Sequence, residues 1–219
     1  MNAQEILAKV DHTLLKQNAV WSEFEALCEE AIAYKTATVM VPSCYVPRIV
    51  EKYGDKLKVA CVVGFPNGNC NTAAKIAETA QALADGAQEI DMVINVSALK
   101  EGNTEFVTSE IKALKNLCGN RVLKVIVETC FLTEEEKIAA CKCVTEAGAD
   151  FIKTSTGFGP KGATLEDIKL FKANIGEGVQ MKPAGGIHTR EEMEAYLEAG
   201  CTRLGCSAAV KLLKDEVDK

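Results

Sequence analysis

Eight short apolar runs, separated by longer amphipathic stretches, set the strongest constraint on how this chain can fold. The runs cover residues 10–15, 38–41, 58–64, 89–94, 123–128, 151–155, 179–182 and 202–205. The stretches between them carry apolar residues at helical spacing, so strands alternate with helices. This order predicts an α/β fold with a parallel sheet, and eight units in 219 residues favour closure into a (β/α)8 TIM barrel. An open doubly wound sheet is the alternative.

The length and the absence of a linker predict a single domain over residues 1–219, with a short helix before the first strand. No apolar run approaches the roughly 18 residues that a membrane span requires. The first residues lack a basic segment followed by an apolar one, the pattern of a secretory signal. A cytoplasmic protein is therefore expected.

Charge and cysteine patterns exclude several classes of function. Twenty-five basic and 31 acidic residues leave a net charge of −6 without a basic stripe, which argues against nucleic-acid binding. The ten cysteines form no CxxC pair and lie mostly in apolar segments, as expected for reduced thiols. Two histidines without zinc-type spacing give little support to a metal site.

A weak internal repeat relates three of the predicted strands. In each unit a helix ends at a glycine, namely Gly86, Gly148 or Gly200. Five residues after these glycines lie Asp91, Lys153 and Gly205. The equal offset places the three residues at a similar level near the carboxyl ends of their strands. Barrel enzymes place their chemistry at that end.

Two lysines stand at the ends of apolar strands. Lys153 follows Phe151 and Ile152, and Lys182 ends the next run. Neighbouring parallel strands lie about 4.8 Å apart, so two ammonium groups there would disfavour each other's charge and lower at least one pKa. A neutral lysine is a nucleophile toward carbonyls and forms a Schiff base. The alternative is an outward lysine whose stem lies along a helix.

Acidic residues inside the strands allow two interpretations. Asp91, flanked by apolar neighbours, is either a structural partner of a lysine or a general acid–base relay in the same barrel mouth. Lys124 and Glu128 share one face of the fifth strand. They either support the site from outside or pair with a neighbouring strand.

Glycine-bearing turns after the last three strands indicate a phosphate site. The candidate residues are Gly157, Gly185, Gly186, Gly205 and Ser207. Barrels often bind phosphate with the loops after strands seven and eight, and Ser207 is placed to cap the following helix. Ordinary strand-to-helix turns would also need glycine.

Four further residues lie in or near the predicted strand ends and loops. Asp11 and Thr13 extend the ring of strand ends as candidate substrate contacts. His12 and His188 are interpreted as structural or exposed, since neither has a clear partner.

Together these residues resemble the deoxyribose-phosphate aldolase family of class I aldolases, which have a (β/α)8 barrel. The resemblance covers nearly the whole chain. Its motifs occur in family order: VVGFPNG, EIDMVIN, LKVIVETC, AGADFIKTSTG, KPAGGI and AGCTRLG.

The resemblance implies a role for each matched position. Lys153 corresponds to the Schiff-base lysine, Lys182 to its partner lysine and Asp91 to the proton relay. The phosphate-cradling positions correspond to Gly157, Gly185, Gly186, Gly205 and Ser207. No metal or organic cofactor is implied, and the partner is a small phosphosugar.

One departure from the family pattern concerns phosphate affinity. Phe158 stands where some members have a lysine, with Lys161 three residues on.

A metal-dependent aldolase and a non-catalytic phosphosugar-binding barrel are the rival functions. A homo-oligomer, dimer or tetramer, is compatible with the family.

Overall fold

Eight parallel strands close on themselves in the computed structural model, which describes residues 1–218. The strands are β1 (Val10–Thr13), β2 (Thr38–Pro42), β3 (Val59–Val63), β4 (Glu89–Val93), β5 (Val122–Ile126), β6 (Phe151–Lys153), β7 (Gln180–Lys182) and β8 (Leu204–Cys206). β1 pairs with both β2 and β8, and a bridge between Ala184 and Gly205 joins the ends of the sheet. The TIM barrel prediction is confirmed, and the open sheet is wrong.

Helices connect the strands and pack their apolar faces against the outside of the barrel. They are α1 (Ala3–Leu7), α2 (Trp21–Ala33), α3 (Val46–Tyr53), α4 (Thr72–Ala84), α5 (Val96–Lys100), α6 (Thr104–Cys118), α7 (Glu134–Glu146), α8 (Leu165–Asn174), α9 (Arg190–Glu198) and α10 (Ala209–Val217). The predicted N-terminal helix is α1, and its Ile6 and Leu7 are fully buried. No helix within residues 1–218 has the length and apolar character needed to cross a bilayer.

Helix boundaries follow local chemistry. Thr133 and Thr189 begin α7 and α9 with capping boxes, in which each hydroxyl accepts a backbone N–H bond from the glutamate three residues on. The repeat glycines Gly86, Gly148 and Gly200 follow helix ends with φ of +101°, +72° and +109°. A side chain would be strained in that conformation, so glycine ends the helix and lets the next strand begin.

The buried side chains form two regions. The larger lies between the strands and the helices, where residues such as Phe24, Ile90 and Phe171 are fully buried. Burying each such side chain contributes about 1.5–3 kcal/mol. The smaller lies inside the barrel, where Met40 and Ala60 pack together on the β2–β3 side. The opposite side of the barrel interior is filled by charged residues, which are unusual in a core and draw attention to function.

The cysteines have the surroundings expected of reduced thiols. All ten are free, and seven of them are buried. Burial raises the pKa of the Cys201 thiol to about 12, so it stays protonated and behaves as a small apolar group.

Candidate active site

Asp91 joins the two strand-end lysines. Its Oδ2 accepts hydrogen bonds from Lys153 Nζ at 2.8 Å and from Lys182 Nζ at 2.7 Å. The two lysines are direct register partners on β6 and β7, which explains why one carboxylate oxygen reaches both. The structure thus brings together the three residues that the sequence marked for catalysis.

Lys124 binds the same carboxylate from below. Its Nζ lies 2.9 Å from Asp91 Oδ1, 2.5 Å from Glu89 Oε2 and 3.6 Å from Asp11 Oδ2. Both interpretations of Lys124 therefore apply, because it pairs with neighbouring strands and also supports Asp91. With no exposed surface, it cannot meet a substrate.

Asp11 lies inside the barrel rather than at its rim, where the sequence placed it. It accepts hydrogen bonds from Lys182, from the Thr38 hydroxyl at 2.8 Å and from Arg203 at 2.6 Å. A direct substrate contact by Asp11 is therefore not supported by its fully buried position. Thr13, two residues on, lines the cavity and donates its hydroxyl to the Asp11 carbonyl oxygen at 2.8 Å.

Arg203 and Glu89 complete the network, although the sequence analysis did not identify them as part of the site. The Arg203 guanidinium bonds Glu89 at 2.9 and 3.1 Å and also contacts Asp11. Each residue precedes a recognised one, Gly205 or Asp91, by two positions, so each shares its inward face. That periodicity was the signal that could have found them.

Burial lowers the pKa of Lys153 to about 8. The Asp91 carboxylate opposes this shift, while the Lys182 and Lys124 charges add to it. From the sequence, a lowered lysine pKa was expected mainly because of the charge of the neighbouring lysine. In the structure, desolvation is the largest cause of the lowered pKa of Lys153. A substantial fraction of Lys153 is thus a neutral amine near pH 8.

The two aspartates remain ionised despite burial. Desolvation alone would raise the pKa of Asp91, but Lys124, Lys153 and Lys182 hold it well below its usual range. Desolvation also acts to raise the pKa of Asp11, but the positive charges of Lys182, Lys124 and Arg203 lower it overall. Desolvation opposes the charged form of Lys124, yet its three carboxylate neighbours raise its pKa.

A cavity of about 610 Å³ opens at the carboxyl ends of the strands. Of the network's cationic residues, only Lys153 lines this cavity; Lys182 and Lys124 lie beneath it. Predicted residues that line the cavity are Thr13, Lys153, Gly157, Gly185, Gly186, Gly205 and Ser207. Within the network, this arrangement presents one amine to a substrate and keeps its charged partners beneath the cavity.

A profile of the DeoC/LacD family of aldolases matches residues 6–209. The chain belongs to this aldolase family. It is 61% identical to the deoxyribose-phosphate aldolase of Clostridium botulinum strain Alaska E43, over 99% of this chain and 98% of that protein. Identity to the deoxyribose-phosphate aldolase of Streptococcus pyogenes serotype M4 is 47%, over 100% and 98% of the two chains.

Solved structures agree with the aldolase family. The deoxyribose phosphate aldolase from Aeropyrum pernix superposes with a TM-score of 0.88 at 27% identity. The match covers 98% of this chain and 92% of that one. The two backbones therefore follow the same path over almost the entire length of this chain.

The glycines of this aldolase serve different needs. Gly185 and Gly186 have φ of +78° and +73°, which lets the loop after β7 turn its backbone along the cavity. Gly205 instead makes room, since a Cβ there would lie 2.8 Å from Ala184 Cβ and 3.2 Å from Lys182 Cε. Its small size lets the stem of Lys182 pass through the barrel.

Ser207 lines the cavity but does not cap α10, so that prediction is wrong. The capping position is Ala208, whose φ of −101° and ψ of −7° are already right-handed, and no side chain caps the helix. Helix α10 therefore begins one residue later than predicted, at Ala209. Ser207 therefore stands ahead of the helix, on the cavity wall.

Glu128 shapes the loop after β6. Its carboxylate accepts hydrogen bonds from the Thr156 backbone N–H at 3.2 Å and from the Thr156 hydroxyl. These contacts favour the first alternative for Glu128, support of the site from outside, over an ion pair with a neighbouring strand. The contact holds Thr156 and Gly157 at the cavity edge.

Phe158 occupies the position where some aldolases of this family have a lysine. Its half-exposed ring meets Phe65 edge to face, with centroids 5.3 Å apart. Lys161 is exposed and does not line the cavity, so it does not take that lysine's place.

Both histidines border the cavity. His12 is buried with Nε2 2.7 Å from Glu30, and burial lowers its pKa, whereas His188 is exposed. The interpretation of the two as structural or exposed fits these surroundings, but the expectation that neither has a partner is wrong for His12, which contacts Glu30. Within residues 1–218, no three His, Cys, Asp or Glu side chains are arranged to hold a metal ion.

A groove between α6 and α7 is larger, at about 770 Å³. Its lining includes Glu105, Lys112 and Glu135, which are surface residues of the two helices. It lies outside the barrel and away from the buried lysines. Size alone therefore does not locate the chemistry of this protein.

Proposed function

We propose that this protein reversibly cleaves 2-deoxy-D-ribose 5-phosphate to D-glyceraldehyde 3-phosphate and acetaldehyde, in deoxyribose phosphate catabolism. The observation that carries the proposal is the position of Lys153. It is the one cation of the buried network at the cavity surface, with a pKa lowered to about 8. A neutral amine in that position is suited to attack a carbonyl.

The reaction begins when Lys153 Nζ adds to C1 of the open-chain sugar and gives a carbinolamine. Loss of water forms an imine, which accepts the electron pair of the C2–C3 bond as the C3 hydroxyl loses its proton. Glyceraldehyde 3-phosphate departs and leaves an enamine. Protonation at C2 and hydrolysis then release acetaldehyde and restore the amine.

Asp91 and Lys182 are placed to handle the protons. Both lie within hydrogen-bond distance of the reacting amine or of its carboxylate partner. Asp91 stays ionised and stabilises the cationic imine, while Lys182 disfavours the protonated form of Lys153. We assign proton transfer to this pair through the hydrogen bonds that join Lys153, Asp91 and Lys182.

The phosphate group would bind at one wall of the cavity. The loops after β6, β7 and β8 meet there through Gly157, Gly185, Gly186 and Ser207. Backbone N–H groups of glycine-bearing turns are suited to an anion. Phe158 supplies no charge, so we expect these backbone donors to hold the phosphate, with Lys16 as the lysine besides Lys153 that borders the cavity.

Borohydride reduction in the presence of acetaldehyde tests the nucleophile. We expect a two-carbon adduct on the peptide that contains Lys153, identified by mass mapping. Lys153→Arg should abolish turnover, because a guanidinium stays protonated and cannot attack. The exposed Lys169→Arg is the matched control and should retain activity. An adduct mainly on Lys16, which also borders the cavity, or on Lys182 would contradict the assignment.

We further propose that the whole chain acts as one domain in the cytoplasm and forms a homo-oligomer. The ten free cysteines support a reducing compartment. The Aeropyrum pernix relative is described as tetrameric, which supports self-association. Light scattering coupled to gel filtration measures the assembly, and a monomer at micromolar concentration would contradict this part of the proposal.

A further inference from the structure

The buried network holds one more cationic side chain than it holds carboxylates. Its cationic residues are Lys124, Lys153, Lys182 and Arg203, and its acidic residues are Asp11, Glu89 and Asp91. An uncompensated charge is costly among side chains that are largely removed from water. The cost is removed when one cation of the four loses its proton.

The contacts identify which cation is the surplus one. Arg203 keeps its charge because a guanidinium does not lose its proton in proteins. Lys124 approaches three carboxylates, and Lys182 binds two. Lys153 binds only Asp91, and it shares that oxygen with Lys182. The proton therefore leaves most easily from Lys153.

Arg203 and Glu89 lie one layer below the reacting end of the barrel. The guanidinium faces Asp11 on β1, Glu89 on β4 and the Phe151 ring on β6, 5.8 Å from its centroid. Lys153 itself faces Asp91 on β4, Lys124 on β5 and Lys182 on β7. Neither Arg203 nor Glu89 lines the cavity, so neither can touch a substrate held there.

We propose that Arg203 and Glu89 are positioning residues of opposite sign, which set the proton affinity of Lys153 through the buried charge network. The fixed charge of Arg203 makes Lys153 the surplus cation, and the carboxylate of Glu89 partly offsets that effect. The importance of this for catalysis rests on the proposed function, in which neutral Lys153 is the nucleophile.

The test changes the charge balance one unit at a time. Arg203→Met should raise the pH midpoint at which Lys153 becomes reactive, and Glu89→Gln should lower it. The expected shift is about one pH unit each, the effect of a unit charge on the order of 10 Å away at an effective dielectric constant of about 20. The double variant Arg203→Met/Glu89→Gln should return close to wild type, and Arg203→Lys should leave the midpoint unchanged.

The readout is the pH dependence of reductive methylation of Lys153 by formaldehyde and cyanoborohydride, followed by peptide mass mapping. This labelling measures the free amine whether or not the protein is an aldolase. Circular dichroism checks that each variant is folded, and Glu89→Gln with Arg203→Lys still decides the question if Arg203→Met does not fold.

Opposite shifts that cancel in the double variant would support the charge relation, because loss of packing alone would not reverse sign. Unmoved midpoints, or shifts in one direction for both single variants, would overturn it. Acetaldehyde trapping on the wild-type protein is run in parallel. Its failure would count against the proposed function, while the methylation midpoints would still decide the roles of Arg203 and Glu89.

Discussion

Lys153 differs from the other buried lysines in what surrounds its amine. It has one carboxylate partner and faces the cavity, whereas Lys124 and Lys182 are enclosed among several carboxylates. Lys124 and Lys153, two chemically identical side chains within one network, can therefore differ in protonation. The environment of each amine decides which one can act as a nucleophile.

Replacing Lys182 tests the coupling between the two strand-end lysines. Lys182→Leu removes the like charge beside Lys153 and keeps an apolar body of similar length. The pKa of Lys153 should rise from about 8, by roughly two units for a charge about 5 Å away, and imine formation should move to higher pH. The measurement is the pH dependence of acetaldehyde trapping by borohydride.

Maximal rate alone does not separate the two roles of Lys182, because loss of a proton relay would lower it too. Lys169→Leu, at an exposed position on α8, is the control for a lysine-to-leucine change. An unchanged pH dependence in Lys182→Leu would show that Lys182 acts only as a relay or a scaffold.

The loops and helix starts at the barrel mouth decide which substrates fit above the amine. Ser207 stands ahead of α10, where the chain passes from β8 into the helix. The loop after β6 is held by the bond between Glu128 and Thr156. Residues of these elements, Gly157 and Ser207 among them, line the same cavity, which Lys16 also borders.

Ser207→Asp tests the proposed binding of phosphate beside Ser207. A carboxylate at this position would repel a bound phosphate, so we expect KM for 2-deoxyribose 5-phosphate to rise by roughly tenfold or more, since each factor of ten is about 1.4 kcal/mol. Acetaldehyde self-condensation, which involves no phosphate, should change much less. Steady-state kinetics of both reactions provide the comparison.

Ser109→Asp, on the exposed surface of α6, controls for the added charge. Equal losses of both activities in Ser207→Asp would argue against phosphate binding beside Ser207. A KM effect confined to the phosphorylated sugar would support it.

At the scale of the whole molecule, the reactive lysine opposes stability. A lysine whose pKa is lowered on folding is less favourable in the folded protein than in the unfolded chain. Below pH 8 both states carry the proton and the full cost is present. Stability rises with pH between about 8 and 10.5, as the folded state loses the proton first.

Lys153→Met should therefore stabilise the fold while abolishing catalysis. The expected gain at pH 7 is on the order of 3 kcal/mol, and it should shrink as pH approaches 10.5. Thermal unfolding of both proteins at pH 7 and pH 10 measures the difference, and Lys169→Met is the exposed control. A lower Tm for Lys153→Met at pH 7, or a gain independent of pH, would contradict the expected cost.

Much of the fold was predictable because it follows from local periodicity. The run at 123–128 became β5 at Val122–Ile126, and the capping box at Thr133 begins α7 as expected. Such features depend on neighbours within a few residues, which the sequence shows directly. The turn into α10 was misplaced by one residue, because backbone dihedral angles at Ala208 are not visible in residue identity.

The sequence by itself determined the alternation of strands and helices, and it marked Lys153, Lys182 and Asp91 as polar residues on apolar strands. Only the tertiary structure decided that Lys153 reaches the cavity and that Arg203 and Glu89 belong to the same network. The physical reason is that the direction in which side chains point follows a regular repeat along the chain. Burial and charge coupling depend instead on distances across the barrel. Those distances join residues as far apart in sequence as Asp11 and Arg203, and they exist only once the sheet has closed.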